Sequence, residues 1–283
     1  MDMTLTRAEF GYVQRLVADG SGWVLADGKD YLVEALLRPI AEGAGLESVA
    51  ALIDCLPSAE PALRTAVLEA MAINETYFFR DVRPFDALRE VIIPEILAAN
   101  GGRRLAIWSA AVSTGQEPYS LAMLVSDSFS FVPFVTILGT DFSSATLQVA
   151  KQGLYSNVQV NRGLPADLLV RHFHRVGLRW QVNDRIRQMV TFRQLNLIRP
   201  FPPLPQQDII LLRNVLTYFD PATKAAVLGR IATVLRPGGY LFMGGAETTY
   251  GIDPAFESVP VGKTICYQYR GSNGANGTDS TRG

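Results

Sequence analysis

The sequence predicts an α/β protein in which a small all-helical domain precedes a doubly wound parallel sheet. The first 80 residues carry helical patterns with short breaks between them and no obvious strand. From residue 103 onward, short β-rich segments alternate with helical ones, a pattern typical of a parallel sheet covered by helices on both faces. A length of 283 residues accommodates one large domain or two modest ones.

Residues 1–80 are predicted to form the helical domain. Thr6 and Glu9 have the spacing of a capping box, which indicates the start of a helix. Further helical patterns occur in YLVEALLRPI, LESVAALIDCL and PALRTAVLEAMA. The stretches between them, ADGSGW, EGAG and PSAEP, are typical of turns.

Residues 81–270 are predicted to form the α/β domain, with strands in RRLAIW, FVTILGT, DIILLRN and GGYLFMGG. The alternation breaks between residues 155 and 197. There GLRWQV and MVTFRQLN, joined by the turn-like NDR, predict a hairpin inserted into the α/β frame. The tail, residues 271–283, is rich in Gly, Ser and Asn and is predicted to be disordered.

Composition and charge narrow the class of protein. With 26 basic and 27 acidic residues, the chain lacks the positive surplus that non-specific nucleic-acid binding requires. Cys55 and Cys266 lie far apart among apolar residues, which indicates two buried thiols in a reducing compartment. Neither a signal pattern nor an apolar segment of about 18 to 20 residues is present, so we expect a cytoplasmic protein that is not embedded in a membrane.

Polar residues follow three of the predicted strands, at the edge where open parallel sheets bind ligands. The loop that follows RRLAIW contains a single glycine, Gly115, and no GxGxxG motif. The acidic Glu117 in the same stretch favours a ligand that carries an amine or a cation. Asp141 could accept hydrogen bonds from ribose hydroxyls or cap the next helix, and the two interpretations are equally weighted. Arg213 and Asn214 favour ligand contact over a loop-stabilising role.

Two further segments carry polar chemistry. AINETYFFRD contains Asn74, Thr76 and Arg80 around an aromatic run, and by itself it would be interpreted as a helix start that joins the two domains. His172 and His174 lie in LLVRHFHRV without carboxylates or thiolates at the spacing of metal ligands. A surface or structural role is therefore favoured for both histidines, and no metal site is expected.

The segments NETYFFRD, SAAVSTGQEPYSLAM, LGTDFSSATLQVAKQGLY, LRNVLTYFD and LRPGGYLF occur in a specific order. In that order and spacing the chain resembles the CheR-type chemotaxis receptor methyltransferases. These S-adenosylmethionine-dependent enzymes esterify glutamate side chains on bacterial chemoreceptors. The resemblance covers residues 60–270 well and the N-terminal helices loosely. It implies a doubly wound S-adenosylmethionine-dependent methyltransferase domain with an inserted small antiparallel β-subdomain, preceded by the helical domain.

The resemblance also implies which residues bind S-adenosylmethionine or its product S-adenosylhomocysteine. These are Asn74, Thr76, Arg80, Glu117, Asp141, Asn196, Leu197, Arg213 and Asn214. Tyr218 matches the family's tyrosine on the acceptor side of the pocket. A glutamate with a pKa near about 4.3 is already ionised at neutral pH, so no general base is needed. We expect Arg80 and Tyr218 to be catalytic by aligning the reacting atoms.

The chain departs from the family pattern in places. The usual glycine-histidine-serine-glutamate is GGAE here, the usual isoleucine before the motif tyrosine is Thr217, and neither difference is expected to touch the cofactor contacts. The N-terminal helices also lack the concentrated basic face with which family members often meet their acidic receptor substrate. Some members bind a receptor's C-terminal peptide at the β-subdomain by strand addition, and the sequence leaves open whether this chain does so.

Two alternative functions stay open. The first is a methyltransferase of the same fold that acts on a small molecule or on RNA, although the near-zero charge disfavours RNA. The second is a catalytically silent module that binds S-adenosylmethionine or S-adenosylhomocysteine as a scaffold or sensor in a signalling array. A nicotinamide-dependent dehydrogenase is the least favoured, because the required glycines are missing.

Overall fold

The computed structural model describes residues 5–72, 75–99, 101, 104–129 and 135–271. Four helices form the N-terminal region: α1 (Arg7–Ser21), α2 (Asp30–Gly43), α3 (Val49–Cys55) and α4 (Pro61–Met71). The predicted capping box is confirmed, because the Glu9 N–H donates to the Thr6 hydroxyl and the Thr6 N–H donates to the Glu9 carboxylate. The apolar faces of these helices pack into one core that includes Val13, Val33 and Leu52.

The remaining helices and strands alternate in part, as predicted, but the last three strands follow one another without an intervening helix. These helices and strands are α5 (Arg83–Ala87), α6 (Ile93–Ala99), β1 (Leu105–Ala110), α7 (Gln116–Ser128), β2 (Val135–Asp141), α8 (Ser144–Gln152), β3 (Leu154–Tyr155), α9 (Asn157–Asn161), α10 (Ala166–His172), β4 (Phe173–Val176), β5 (Arg179–Val182), α11 (Asp184–Arg187), β6 (Val190–Gln194), β7 (Gln207–Leu212), α12 (Pro221–Val234), β8 (Leu235–Met243), β9 (Phe256–Val261) and β10 (Thr264–Tyr269). A π-helical turn, Leu88–Ile92, joins α5 to α6.

The main sheet has seven strands in the order β6-β2-β1-β7-β8-β10-β9. The first five strands are parallel, and β10 pairs antiparallel with both β8 and β9. Successive residues of a strand point to opposite faces, so Ile209 packs in the core that contains α7, and Ile210 in the core that contains α12. Helices therefore cover both faces, which confirms the doubly wound α/β fold.

The hairpin predicted between GLRWQV and MVTFRQLN is wrong, although GLRWQV does supply a strand of a small antiparallel sheet. β5 pairs antiparallel with β4 through a turn at Gly177, which has a left-handed φ of 58°, and with the short β3 on its other side. These three strands form the small antiparallel sheet. The segment NDR is not a hairpin turn, because α11 starts at Asp184. MVTFRQLN instead supplies β6, which runs parallel to β2 at the edge of the main sheet.

The cysteines differ in burial. Cys266 is fully buried, as predicted, and burial raises the pKa of its thiol to about 11, so the group is a neutral thiol at pH 7. Cys55 is only partly buried, contrary to the prediction, because it lies at the C-terminal end of the short helix α3. Both are free cysteines. Residues 272–283 of the predicted tail lie outside the described residues, and none of the described helices is long and apolar enough to span a bilayer.

Candidate functional site

A cleft of about 1050 Å³, including the part open to solvent, lies beyond the carboxyl ends of β1, β2 and β7. It brings together every predicted site residue that the structure describes: Thr76, Arg80, Glu117, Asp141, Asn196, Leu197, Arg213, Asn214 and Tyr218. The predicted contact Asn74 lies outside the described residues. These residues come from segments spread over more than half of the chain, so the fold alone makes them neighbours.

One ionic network joins the loops after β1 and β7. The Arg213 side chain, only 1% exposed, donates from Nη1 to Glu117 Oε2 at 2.7 Å. Its Nη2 donates to Asp81 Oδ2 at 2.7 Å and to the Arg80 carbonyl oxygen at 2.8 Å. Glu117 also accepts a 2.7 Å hydrogen bond from the Ser109 hydroxyl. Arg213 therefore holds the Glu117 carboxylate and the backbone of the Arg80 segment in place.

Asp141 ends β2 and is almost fully buried. Its carboxylate accepts hydrogen bonds from the N–H groups of Ser113 at 2.7 Å and Ser143 at 2.9 Å. Burial raises the pKa of this carboxyl group above its ordinary value of 3.8, although the backbone hydrogen bonds oppose that effect. The helix-cap interpretation of Asp141 is wrong, because Ser143 caps α8 by accepting the Thr146 N–H.

Backbone strain is concentrated at this site. Within the described part of the chain, the non-glycine residues with positive φ are Phe79, Asp81, Val82, Ala111, Ser113 and Asn214. Ala111, Ser113 and Asn214 line the cleft, with φ values of 57°, 51° and 58°. Left-handed backbone is costly for residues that carry a Cβ and persists where surrounding contacts enforce it, often at functional sites.

Three buried polar atoms of residues that line the cleft lack a hydrogen-bond partner in the structure. They are the Ser113 hydroxyl oxygen, the Asn214 side-chain oxygen and the Arg213 Nε. A buried polar group without a hydrogen bond costs about 1 to 3 kcal/mol, so unsatisfied atoms that line a cleft indicate a polar ligand. Together with the Glu117 and Asp141 carboxylates, this set of donors and acceptors fits a ligand that bears an ammonium group and hydroxyls, as S-adenosylmethionine does.

Arg80 lies at the mouth of the cleft with its side chain 21% exposed. Its Nη1 donates to the Glu75 carbonyl oxygen at 2.7 Å, and its guanidinium lies 5.5 Å from the centre of the Tyr77 ring. The Glu75 carboxylate pairs with Arg162, and that hydrogen bond is the main cause that lowers the pKa of Glu75. Arg80 is thus supported by neighbours while still lining the cleft.

The N-terminal helical region closes one end of the cleft. Asn196 donates to the Gly20 carbonyl oxygen at 2.8 Å, and the Val24 N–H donates to the Tyr218 carbonyl oxygen at 2.8 Å. The Trp23 ring packs edge-on against the Tyr218 ring, with their centroids 6.3 Å apart. Trp23 was not predicted as a site residue. A lone tryptophan within the turn-like stretch ADGSGW was the available signal.

The segment GGAE lies beside the cleft through its last residue, Glu247, which is the glutamate that the family pattern also has. The Glu247 carboxylate accepts hydrogen bonds from the N–H groups of Asn214 at 2.7 Å, Gly244 at 2.8 Å and Thr217 at 3.0 Å. Its charge therefore fixes the loop that carries both Asn214 and Tyr218. This role was not predicted, because Glu247 follows a different strand from the loop that it holds.

The remaining lining residues were also missed or not assigned. They are Ser21, Ala72, Glu75, Ala111, Val112, Ser113, Phe142, Leu195, Val215 and Phe219. Apart from Glu75, Ser21 and Ser113, these side chains are apolar, and apolar residues in a loop carry no distinctive sequence signal. Ser113 belongs to the stretch of small residues that predicted close approach of a ligand after β1.

The two histidines lie away from the cleft. His172 is buried, and its Nε2 lies 2.9 Å from Asp127 Oδ1. His174 Nδ1 lies 2.9 Å from Asn183 Oδ1. Among the described residues, no group of three or more His, Cys, Asp or Glu side chains is arranged to hold a metal ion. The histidines instead connect α7 and the small antiparallel sheet to their neighbours.

Comparison with known proteins identifies relatives along nearly the whole chain. The family model for the CheR methyltransferase, SAM binding domain, matches residues 74–265. The chain is 38% identical over 273 residues to chemotaxis protein methyltransferase 1 of Pseudomonas aeruginosa, which spans 94% of this chain and 99% of that protein. It is 38% identical over 274 residues to the chemotaxis protein methyltransferase of Vibrio anguillarum, which spans 95% of this chain and 99% of that protein.

Proposed function

The chain belongs to the CheR methyltransferase family, and from this premise we propose that it methylates glutamate side chains of bacterial chemoreceptors. It would act as a protein-glutamate O-methyltransferase on the receptors' cytoplasmic regions and would itself be cytoplasmic. The observation that carries this proposal is the single cleft lined by all the described residues that the family resemblance implied. The unpartnered Ser113 and Asn214 oxygens in the same cleft support a bound polar ligand.

We propose that the cleft binds S-adenosylmethionine by matching each of its polar groups. Arg80 pairs with the methionyl carboxylate, and Glu117 pairs with the α-ammonium group. Asp141 accepts hydrogen bonds from the ribose, and Asn196 with the Leu197 backbone contacts the adenine edge. Thr76, Asn214 and Asn74 would complete the contacts. Arg213 contributes indirectly, because its Nη1 and Nη2 groups already donate to Glu117 and to the backbone of the Arg80 segment.

When bound, S-adenosylmethionine supplies a methyl group on a sulfonium, which is an activated leaving group. The acceptor glutamate is ionised at neutral pH and needs no base, so the protein has to align the acceptor oxygen and exclude water. Tyr218 and Arg80 are the residues proposed for this alignment. The Trp23 contact with Tyr218 supports the role, because it holds the tyrosine ring and covers that end of the cleft.

We also propose how the chain is divided into domains. Residues 1–80 would form the helical domain and residues 81–270 the methyltransferase domain, with the β-subdomain within 155–197. If a receptor's C-terminal peptide binds, we propose that it adds a strand to the free edge of β4 in the small antiparallel sheet. Surface plasmon resonance with such a peptide tests that contact.

Transfer of radiolabelled methyl from S-adenosylmethionine to membranes that bear the host's chemoreceptors tests the function. We expect label that mild base removes, as a methyl ester requires, and its loss with Arg80→Ala. Tyr218→Phe should lower turnover, and full turnover in that variant would remove the tyrosine hydroxyl from the assignment. S-adenosylhomocysteine binding by calorimetry without any label would favour a different acceptor or a silent module. Absence of binding would contradict the cofactor assignment.

A further inference from the structure

A second concavity, here called the acceptor groove, lies over the carboxyl end of β8. It is bounded by the start of α5 on one side and by the turn between β9 and β10 on the other. Its volume is about 1450 Å³, including the part open to solvent. Arg83, Lys263 and Ile265 line the groove, and Gly244 and Gly245 form part of its floor. No residue in it was predicted from the sequence as an acceptor contact.

The groove and the cofactor cleft share one wall. The Arg213 side chain lines both concavities, with Glu117 bound at Nη1 and Asp81 of the groove bound at Nη2. Glu247, which lines the groove, binds the Asn214 and Thr217 N–H groups of the loop that precedes Tyr218. The groove therefore opens beside the end of the cleft that contains Glu117 and Arg80.

The cations of the groove are available for a partner. Arg83 and Lys263 are exposed, and neither has an ion-pair partner among the described residues. Both acidic side chains of the groove are already engaged, Asp81 by Arg213 and Glu247 by backbone N–H groups. The groove is lined by three cationic side chains, Arg83, Arg213 and Lys263, and by two carboxylates, so the formal charge of its lining is +1. Ile265, 57% exposed, adds apolar surface between these charges.

We propose that the acceptor groove binds the acidic segment of the methyl-accepting protein that carries the reactive glutamate. This inference rests on the proposed function, because a carboxylate acceptor is what gives the positive groove its occupant. Arg83 and Lys263 pair with carboxylates that flank the reactive one, and this pairing brings the segment in beside Arg213. Glu247 of the groove holds the loop that carries Tyr218, so a segment bound in the groove lies beside the tyrosine proposed to align the acceptor.

The test compares two double charge reversals. Arg83→Glu with Lys263→Glu removes the cations of the groove. Arg83 is the first residue of α5, where an acidic side chain suits the helix dipole, and Lys263 lies in an exposed turn, so both substitutions are compatible with folding. The matched control, Lys151→Glu with Arg193→Glu, changes the charge equally at the opposite edge of the sheet, where α8 packs on β6.

Methyl transfer to receptor membranes is measured at several receptor and salt concentrations, together with co-sedimentation of each protein with the same membranes. We expect the groove variant to raise KM for the receptor about tenfold and to weaken co-sedimentation, with a flatter salt dependence. Its affinity for S-adenosylhomocysteine, measured by calorimetry, should stay unchanged, and the control variant should behave as the wild type.

The possible outcomes distinguish a failure of the groove assignment from a failure of the proposed function. If the wild type transfers methyl groups and the groove variant does so equally well, the groove assignment alone is overturned. The same holds if the control variant is impaired as much as the groove variant. No transfer to receptors by the wild type overturns the proposed function and the assigned occupant together. A loss confined to S-adenosylhomocysteine affinity would also overturn the assignment, because the two cations would then act on the cofactor.

Discussion

The cofactor cleft and the acceptor groove differ in how their charges are satisfied. In the cleft, Arg213 is 1% exposed and bonded to Glu117 and to Asp81. In the groove, Arg83 and Lys263 are exposed and have no ion-pair partner among the described residues. Buried, bonded charges hold a fixed geometry, whereas exposed charges attract at longer range and are screened by salt. The cleft is therefore preorganised, and the groove acts mainly through electrostatic attraction.

The buried network should be the most sensitive point of the molecule. Arg213→Ala leaves the Glu117 carboxylate without its main partner, so we expect a loss of about 3 to 5 kcal/mol in the free energy of unfolding. Urea denaturation measures it. Arg89→Ala breaks an exposed pair with Asp86 and should cost about 1 kcal/mol or less. Equal losses in the two variants would contradict the contrast between buried and exposed charges.

Substitution of Glu247 tests whether the wall shared by the cleft and the groove affects methyl transfer by positioning the loop before Tyr218. Glu247→Gln leaves fewer acceptor sites for the N–H groups of Asn214, Gly244 and Thr217, and the loop before Tyr218 should shift. We expect kcat to fall about 10- to 100-fold, with a much smaller change in S-adenosylhomocysteine affinity. Steady-state kinetics and calorimetry separate the two effects.

Glu257→Gln is the control for Glu247, because Glu257 is an exposed partner of Arg270. This variant should keep its kcat. A parallel loss of kcat and cofactor affinity in Glu247→Gln would indicate general damage to the cleft instead of a displaced loop.

The pH dependence of cofactor binding should report the titration of the buried Asp141 carboxyl group. Its pKa is raised by burial above 3.8, and only the ionised carboxylate accepts hydrogen bonds at both oxygens. S-adenosylhomocysteine affinity should therefore be constant near neutral pH and decline as the pH falls through the raised pKa, by up to about tenfold per pH unit below it. Calorimetry across that range measures the decline.

Asp141→Asn should bind weakly at every pH, with no such decline. The hydrogen bond from Arg162 lowers the pKa of Glu75, the opposite direction to Asp141, so Glu75→Gln serves as the control and should retain the wild-type pH profile. A profile in Asp141→Asn that still follows the wild type would assign the titration to another group.

The smallest expected effects are those of Ser113→Ala, which should raise the free energy of unfolding and lower the affinity for S-adenosylhomocysteine. Ser113→Ala removes a buried hydroxyl without a partner, so the free energy of unfolding should rise by about 1 kcal/mol. Affinity for S-adenosylhomocysteine should fall by about three- to tenfold. Thermal denaturation and calorimetry check the two signs. A fall in both quantities would show that the hydroxyl has a structural partner.

Ser120→Ala is the matched control for Ser113→Ala. The Ser120 hydroxyl accepts the Phe79 N–H and donates to the Gln116 carbonyl oxygen. Its removal leaves the Phe79 N–H without its acceptor, so this variant should lose stability by about 1 to 3 kcal/mol.

Much of the fold and of the site follows from local patterns. The alternation of strands with helices predicted the doubly wound sheet. Glu117, Asp141 and Arg213 could be singled out because they follow strands, and the carboxyl ends of parallel strands meet at one edge. The family resemblance added Asn196 and Tyr218, which carry no distinctive signal of their own.

Strand pairing could not be predicted in the same way. GLRWQV and MVTFRQLN are both β-rich, and their nearness in the chain suggested a hairpin. The structure pairs them with different sheets, because Gly177 closes a tighter turn between β4 and β5, and β6 can extend the main sheet beside β2. Hydrophobic pattern identifies a strand, but the partner of that strand depends on which edge the rest of the fold leaves open.

The sequence by itself determined the kinds of most elements, the capping box of α1 and the chemical types of the residues at strand ends, because these depend on neighbours a few positions away. Only the tertiary structure decided that Glu247 would hold Asn214, 33 positions earlier, and that Asn196 would hold Gly20 across 176 positions. Such contacts depend on how whole elements pack. The same packing placed Arg213 between the cleft and the groove, where one buried side chain serves both.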